Sequence, residues 1–370
     1  MKKYIIFAAA AVMALAACTK VEEVGQTQKE ISFQVANGIQ TKATGSVYNN
    51  GAFGTYAWFN GTDDFMVNEK VDLAGGVWKT VDHTFYWPKT GSIDFISYSP
   101  FSGASDNANS NPAVTKNSIT YTDITVSDVD YMYADKVNCS SNVNEVTDSD
   151  TADSGFTGVP TVFRHALAKL SFKIKANFVT YTDASTGTTT SWEVTVNSIK
   201  ISGFKTKGDC ALALNTDGKS WNKPVTTVGS EDFNVWTNLD GTSAAQELLP
   251  SGAIVLTTTE TVLNPADGFV MPQILTADTQ KLTLDIHIKT TLSNGKTINE
   301  DLVKVVDIKD ISTLKAWQMN KNIVYTINIK PTAKADGTNG HDDDPEDVVI
   351  TFDPAVADWT NVDASATIQL

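Results

Sequence analysis

Arginine is almost missing from this chain of 370 residues; the single one is Arg164. The other basic residues are lysines, and Asp and Glu outnumber Lys and Arg by 43 to 28, leaving a net charge of −15. That sign repels phosphate backbones and anionic bilayers, so nucleic acid is excluded as a partner. Histidine is scarce too: His83, His165, His287 and His341 are scattered, without His-x-x-x-His or Cys/His spacing, which removes the usual zinc arrangements. There is no Gly-x-Ser-x-Gly elbow and no phosphate-cradling glycine loop. Carboxylates are plentiful, but nothing pairs two of them. No catalytic residue, metal site or cofactor is read from the sequence, and the chain is taken as non-enzymatic. Only three cysteines occur, Cys18, Cys139 and Cys210, too few for a disulfide-built scaffold. Cys139 and Cys210 sit in different halves; a bond between them is permitted, and two free thiols is the simpler reading.

Long apolar runs are equally rare. One exists, at residues 5–17 behind Lys2 and Lys3, and it is too short to span a bilayer comfortably. It ends Leu15-Ala16-Ala17-Cys18. Small residues before a cysteine match a bacterial lipobox, where the leader (residues 1–18) is cut and Cys18 becomes the acylated N-terminus. Lipid chains contribute roughly 0.8 kcal/mol per buried methylene, so two or more anchor stably. The mature chain is expected outside the cytoplasm.

What is present is β pattern. Hydrophobic residues make up 41% of the chain, enough for real cores, while helix-forming runs are few and Thr and Val are common. Residues 160–175 are the hinge of the reading: Leu170, Phe172 and Ile174 alternate with Lys169, Ser171, Lys173 and Lys175, the period of a half-buried strand. Before the hinge, strands are expected at 31–35, 53–59, 77–79, 84–88, 93–98, 118–121 and 130–134, with turn signals between them. After it they are expected at 192–196, 199–201, 210–214, 253–256, 269–275, 281–289, 322–330 and 348–352, with Asn294-Gly295 as a hairpin turn into the strand that runs to Val305 and Val306. Trp58, Trp78, Tyr86 and Trp87 are read as core packing rather than a sugar platform, because they lie inside strand patterns. His165 is read as a structural histidine and His287 as lying on an outer face. His341-Asp-Asp-Asp lacks the spacing of a calcium loop and reads as a connector. At the far end, Ala364, Ala366, Ile368 and Leu370 share one face, and such a tail needs a groove.

Several of these marks, in this order, resemble the fimbrillin-like lipoproteins that build type V pili. They are the lipobox at Cys18; Gln40-Thr-Lys-Ala before an aromatic strand; Phe85-Tyr-Trp-Pro followed by Asp94-Phe-Ile-Ser-Tyr-Ser-Pro100; Asp130-Tyr-Met-Tyr-Ala134; Phe163-Arg-His-Ala-Leu-Ala-Lys-Leu170; Trp317 with Asn320-Lys-Asn-Ile-Val-Tyr-Thr-Ile327; and Ile350-Thr-Phe-Asp-Pro354 with Trp359. The resemblance implies an all-β chain of two tandem transthyretin-like Greek-key β-sandwich domains, placed at 19–158 and 159–370. It also implies a lipidated precursor from which a trypsin-like protease removes the first strand. Another copy's tail then takes the vacated place, giving a polymer of pilus subunits that serves adhesion to a host or bacterial surface ligand.

The residues can carry that scheme. Ile31, Phe33 and Val35 would stabilise the resident strand by about 5–9 kcal/mol. The tail residues Ala364, Ala366, Ile368 and Leu370 offer about 3–7 kcal/mol on the same scale. A tethered strand therefore wins until the loop at Lys42 is cut. An arginine often occupies that loop in the family; here it is Lys42, while Arg164 lies in the hinge, where burial is expected to protect it. Competing readings are an uncleaved anchor or accessory subunit, a monomeric adhesin, and a glycan-binding surface lipoprotein.

Overall fold

The structure is a computed structural model that describes residues 29–37, 48, 50–102, 111–140, 158–178, 181–182, 187–216, 218, 221, 236–249, 251–263, 268–275, 279–310, 316–331 and 348–358. Every regular element among them is a strand, so the chain is all-β.

The first sheet closes on itself. It holds β1 (Phe33–Asn37), β2 (Phe53–Phe59), β3 (Asp63–Ala74), β4 (Val77–Thr80), β5 (Ser92–Ser99), β8 (Met132–Ala134), β9 (Val137–Ser140) and β10 (Val159–His165). The order is β2-β3-β4-β1-β10-β8-β5, and β5 returns to β2 over six aligned pairs from Gly54↔Tyr98 to Phe59↔Ile93. β9 follows β8 along the same side of β5. Closure removes free edges from that ring except beside β1, which meets β4 at one pair. Two register shifts in β2–β3 bend the ribbon, as bulges do in barrels. The interior is aromatic: Phe33, Phe53, Trp87, Phe95 and Phe163 are buried with Ile31, Met66, Val71 and Ile93. Large rings fill the space between short strands.

The last sheets form a two-layer sandwich. One layer runs β18 (Thr261–Leu263), β11 (Ala168–Ala176), β24 (Lys321–Pro331), β25 (Val348–Asp358), with β19 (Phe269–Val270) also on β11. The other runs β12 (Tyr181–Thr182), β13 (Thr189–Ser202), β21 (Lys281–Leu292), β22 (Thr297–Asp307), with β16 (Gln246–Glu247) and β17 (Ile254–Val255) on β13. A two-stranded piece, β20 (Gln273–Ile274) with β23 (Ala316–Trp317), sits beside them. The core is mainly aliphatic: Leu170, Ile174, Val194, Ile286, Ile327 and their neighbours, with Phe172 stacked on Tyr325 at 5.4 Å. Strict alternation in β11, β21 and β24 produces this core directly, since every second side chain points inward.

Between the two lies a four-stranded sheet of β6 (Ala113–Thr115), β7 (Ser118–Thr125), β14 (Lys207–Ala213) and β15 (Trp236–Asp240). β7 comes from the first half of the chain and β14 from the second, and they pair antiparallel. A third core, including Ile96, Tyr98, Tyr121, Tyr133, Trp221 and Trp236, packs there. β10, which the sequence reading places in the second unit from residue 159, hydrogen-bonds inside the first sheet. The chain changes sheets at Ala166 and Leu167, both fully buried. β10 ends at His165 and strict alternation begins at Ala168, so the change of sheet falls between them. The predicted hairpin at Asn294-Gly295 joins β21 to β22, with Gly295 at φ 88° and the Lys296 N–H donating to Asn294 Oδ1 at 3.0 Å.

Candidate functional site: the seat of the first strand

Strand β1 lies between β10 and β4. It pairs parallel with β10 over five positions, Phe33↔Val159 to Asn37↔Phe163. With β4 it shares one pair, Phe33↔Trp78. Ahead of it, Glu30 bridges Tyr86; the Ile31 N–H donates to Phe85 O at 2.9 Å and the Trp87 N–H to Lys29 O at 3.0 Å. The strand expected at 84–88 is therefore a single bridge that frames the entry of β1.

The seat is built for the side chains it holds. Ile31 is 1% exposed and Phe33 4%. The Phe33 ring meets Phe53 and Phe95 edge-on, at 5.6 and 5.8 Å, the favourable arrangement for ring quadrupoles. Val35 is only half-buried, packed at the rim of the same core. On the β10 side the Val159 N–H donates to Ser32 O at 2.8 Å. Gly158 makes that approach possible: a Cβ there would stand 2.7 Å from Ser32 O and 3.0 Å from the Phe33 carbonyl carbon.

Tyr48 closes the seat from the far side of the loop. It is 5% exposed, stacks on Phe163 at 4.9 Å, and shares a 2.7 Å hydrogen bond with Ser99 Oγ. Burial pushes the pKa of its hydroxyl upward against the opposing effect of that bond. Residues 38–47 thus join two anchored points, β1 and Tyr48. Lys42 falls in this stretch of sequence and lies outside the described residues, as do Cys18 and the tail residues Ala364, Ala366, Ile368 and Leu370. His341 also lies outside them. Tyr48, Gly158 and the parallel partner β10 were not singled out from the sequence. A glycine directly ahead of Val-Pro-Thr-Val-Phe was the one available signal for a close backbone approach.

The hinge residues do other work. His165 is 6% exposed; its Nδ1 lies 2.8 and 2.9 Å from the Asp130 carboxylate oxygens, and its N–H donates to Asn320 Oδ1 at 3.1 Å. The Asn320 N–H donates to Leu167 O at 2.9 Å, and the Trp236 indole to Ala166 O at 2.7 Å. These contacts tie the end of β10 and the crossing at Ala166 and Leu167 to the middle sheet and to the turn ahead of β24. Arg164 is half-buried, less than expected, and held by two-pronged contacts to Asp135 at 2.6 to 3.2 Å. His287 lies on the outer face of β21, 2.7 Å from Asp301.

Of the aromatic crowd, Trp58 and Trp87 are buried, Trp78 packs partly buried on the barrel core, and Tyr86 is exposed. Cys139 and Cys210 are free and buried. Burial raises both thiols, Cys139 to about 12, which leaves them unreactive at neutral pH. Among the described residues no three metal-ligating side chains come together.

Comparison with other proteins adds the last piece. A candidate cell adhesion protein from Bacteroides uniformis is 21% identical, with 91% of this chain and 100% of that one aligned at a TM-score of 0.42. Another from Bacteroides ovatus is 13% identical over 90% and 99%, at 0.37. A fimbrial protein from Bacteroides ovatus is 11% identical over 76% of this chain and 48% of that one, at 0.25. No curated protein matches the chain. The family model described as fimbrillin-like, however, matches residues 41–359, spanning the barrel from its second strand and the whole sandwich, and the chain belongs to the fimbrillin-like family.

Proposed function

We propose that this chain is a structural subunit of a cell-surface pilus, used in adhesion and assembled by exchange of its first strand. The observation that carries the reading is the seat of β1. Ile31 and Phe33 are buried in the barrel, while β4 holds the strand by one pair. Such a strand supplies core side chains yet is laced firmly on one side only. Two fully buried side chains and one at the rim stabilise the seat by about 4–7 kcal/mol. That holds a tethered strand and releases a severed one, since the tether supplies effective concentration.

In this reading Cys18 carries the lipid that delivers the precursor to the outer membrane, and a protease cuts the loop at Lys42. β1 then leaves with Ile31, Phe33 and Val35. The tail of another copy, through Ala364, Ala366, Ile368 and Leu370, adds a strand to the opened sheet. The two units keep the tandem transthyretin-like plan implied by the family. The fimbrillin-like match over residues 41–359 agrees with this reading.

Trypsin treatment of the recombinant protein, followed by electrophoresis without boiling, tests it. A ladder of multimers is expected, and Lys42→Gln should abolish it. One monomer band after cleavage at Lys42 overturns strand exchange.

A further inference from the structure

β22 ends its sheet, and among the described residues nothing pairs with its outer side. Edge strands are normally kept from pairing by proline, bulges, shortness or dense charge. β22 runs 11 residues without proline or glycine. Its register with β21 is unbroken from Lys281↔Asp307 to Thr291↔Thr297. The edge strand of the facing layer, β25, contains Pro354. On β22, Val303 and Val305 are 62% and 55% exposed. This is a long, regular edge that sets exposed Val303 and Val305 among charges of both signs, Glu300, Asp301, Lys304 and Asp307.

Its sequence also fits itself. Residues 298, 300, 302, 304 and 306 share the face of the buried Leu282, Leu284, Ile286 and Ile288. They read Ile, Glu, Leu, Lys, Val. Against an antiparallel copy centred on Leu302, Glu300 meets Lys304 twice and Ile298 meets Val306 twice. Leu302 meets its own counterpart. On the other face Val303 meets Asp301 and Val305 meets Asn299. Centring on Val303 would set Lys304 against Leu302 and Val306 against Glu300, losing both ion pairs. Opposed charges and apolar pairs are the stabilising unit of antiparallel sheets, so one register is selected.

We propose that β22 pairs antiparallel with β22 of a second copy about a two-fold axis at Leu302. The two six-stranded sheets then form one continuous sheet. This association needs no cleavage and no vacated groove, so it is independent of strand exchange and joins intact subunits sideways.

Sedimentation of the intact, uncut chain over a concentration series tests it. A monomer–dimer equilibrium is expected. Glu300→Lys or Lys304→Glu alone should weaken it roughly tenfold or more, because each creates two like-charge pairs. The double charge swap should restore it, since every pair is again opposite in sign. Thermal melts identify a variant that fails to fold, and restoration by the swap is then the deciding measurement. A native chain that stays monomeric, a dimer indifferent to the single changes, or a swap that does not restore pairing overturns the proposal.

Discussion

The barrel and the C-terminal sandwich are both β-structures, built from different materials. The barrel is filled by large rings, Phe33, Phe53, Phe95 and Phe163, and sets the long β3 (12 residues) beside short strands, β1, β4 and β8, of five, four and three residues. The sandwich uses long strands and branched aliphatics: β13, β21, β22 and β24 have 14, 12, 11 and 11 residues. Long ladders distribute their cohesion over many pairs, and removing one residue injures the whole. In the barrel one strand concentrates its hold in two side chains, so it can separate as a unit. Local opening of this kind is what distinct cooperative units within a fold allow.

That contrast can be broken by experiment. The largest effect is expected from truncating the rings at the centre of each unit. Phe172→Ala should cost about 3–5 kcal/mol of unfolding free energy, read by urea denaturation, with protection falling across β11, β24 and their neighbours together. Phe33→Ala removes a ring of the same size, yet hydrogen exchange should rise in β1 while β21 and β24 keep their protection. Equal loss everywhere would mean that β1 is no separate unit.

A smaller effect sharpens the same point. Gly158→Ala drives a methyl group against Ser32 O and should cost about 1–3 kcal/mol, the range for overpacking. Cys139 shares the barrel core with Ile31 and Phe33, while Cys210 lies in the middle core. In a Cys18→Ser background, Gly158→Ala should therefore speed the labelling of Cys139 by a thiol reagent and leave Cys210 slow. The reverse order would place the weak point elsewhere.

The smallest effect concerns acid. Burial would raise the pKa of Glu247, but the Ser198 hydroxyl and the Ile199 and Leu249 N–H groups, at 2.6, 2.9 and 3.1 Å, outweigh it and hold the carboxyl low. A depressed folded value means the contribution is complete above the ordinary Glu pKa of about 4.3 and fades as pH falls through the folded value. Glu247→Gln should lose about 1 kcal/mol at pH 7 and nearly nothing at the lowest pH where the chain stays folded. A loss that does not change with pH would assign the effect to packing.

Much of the sandwich can be read from alternation alone, because β11, β21 and β24 obey it strictly and each buries the face the pattern names. The barrel resists such reading. β3 was missed: its sequence, Asp-Asp-Phe-Met-Val-Asn-Glu-Lys-Val-Asp-Leu-Ala, is charged, and Asn68 at φ 54° breaks its period. The strand expected at 348–352 runs on through Pro354 to Asp358, as an edge strand allows. At the seat, the inward side chains Ile31 and Phe33 were legible from their spacing. Val35 was expected to be as deep and is not, since β4 ends beside Phe33 and leaves the rim open. The partnership with β10 had only Gly158 as a local signal, because parallel neighbours can be any distance apart along the chain.

That distance governs the order of events in folding. Phe33 aligns with Val159, so β1 leaves the ribosome 159 − 33 = 126 residues ahead of its neighbour. Closing a loop of that length costs entropy before the pair can form, which makes the pairing of β1 with β10 a late step. The first strand made is among the last to be placed, and a late arrival by nature is well suited to being replaced.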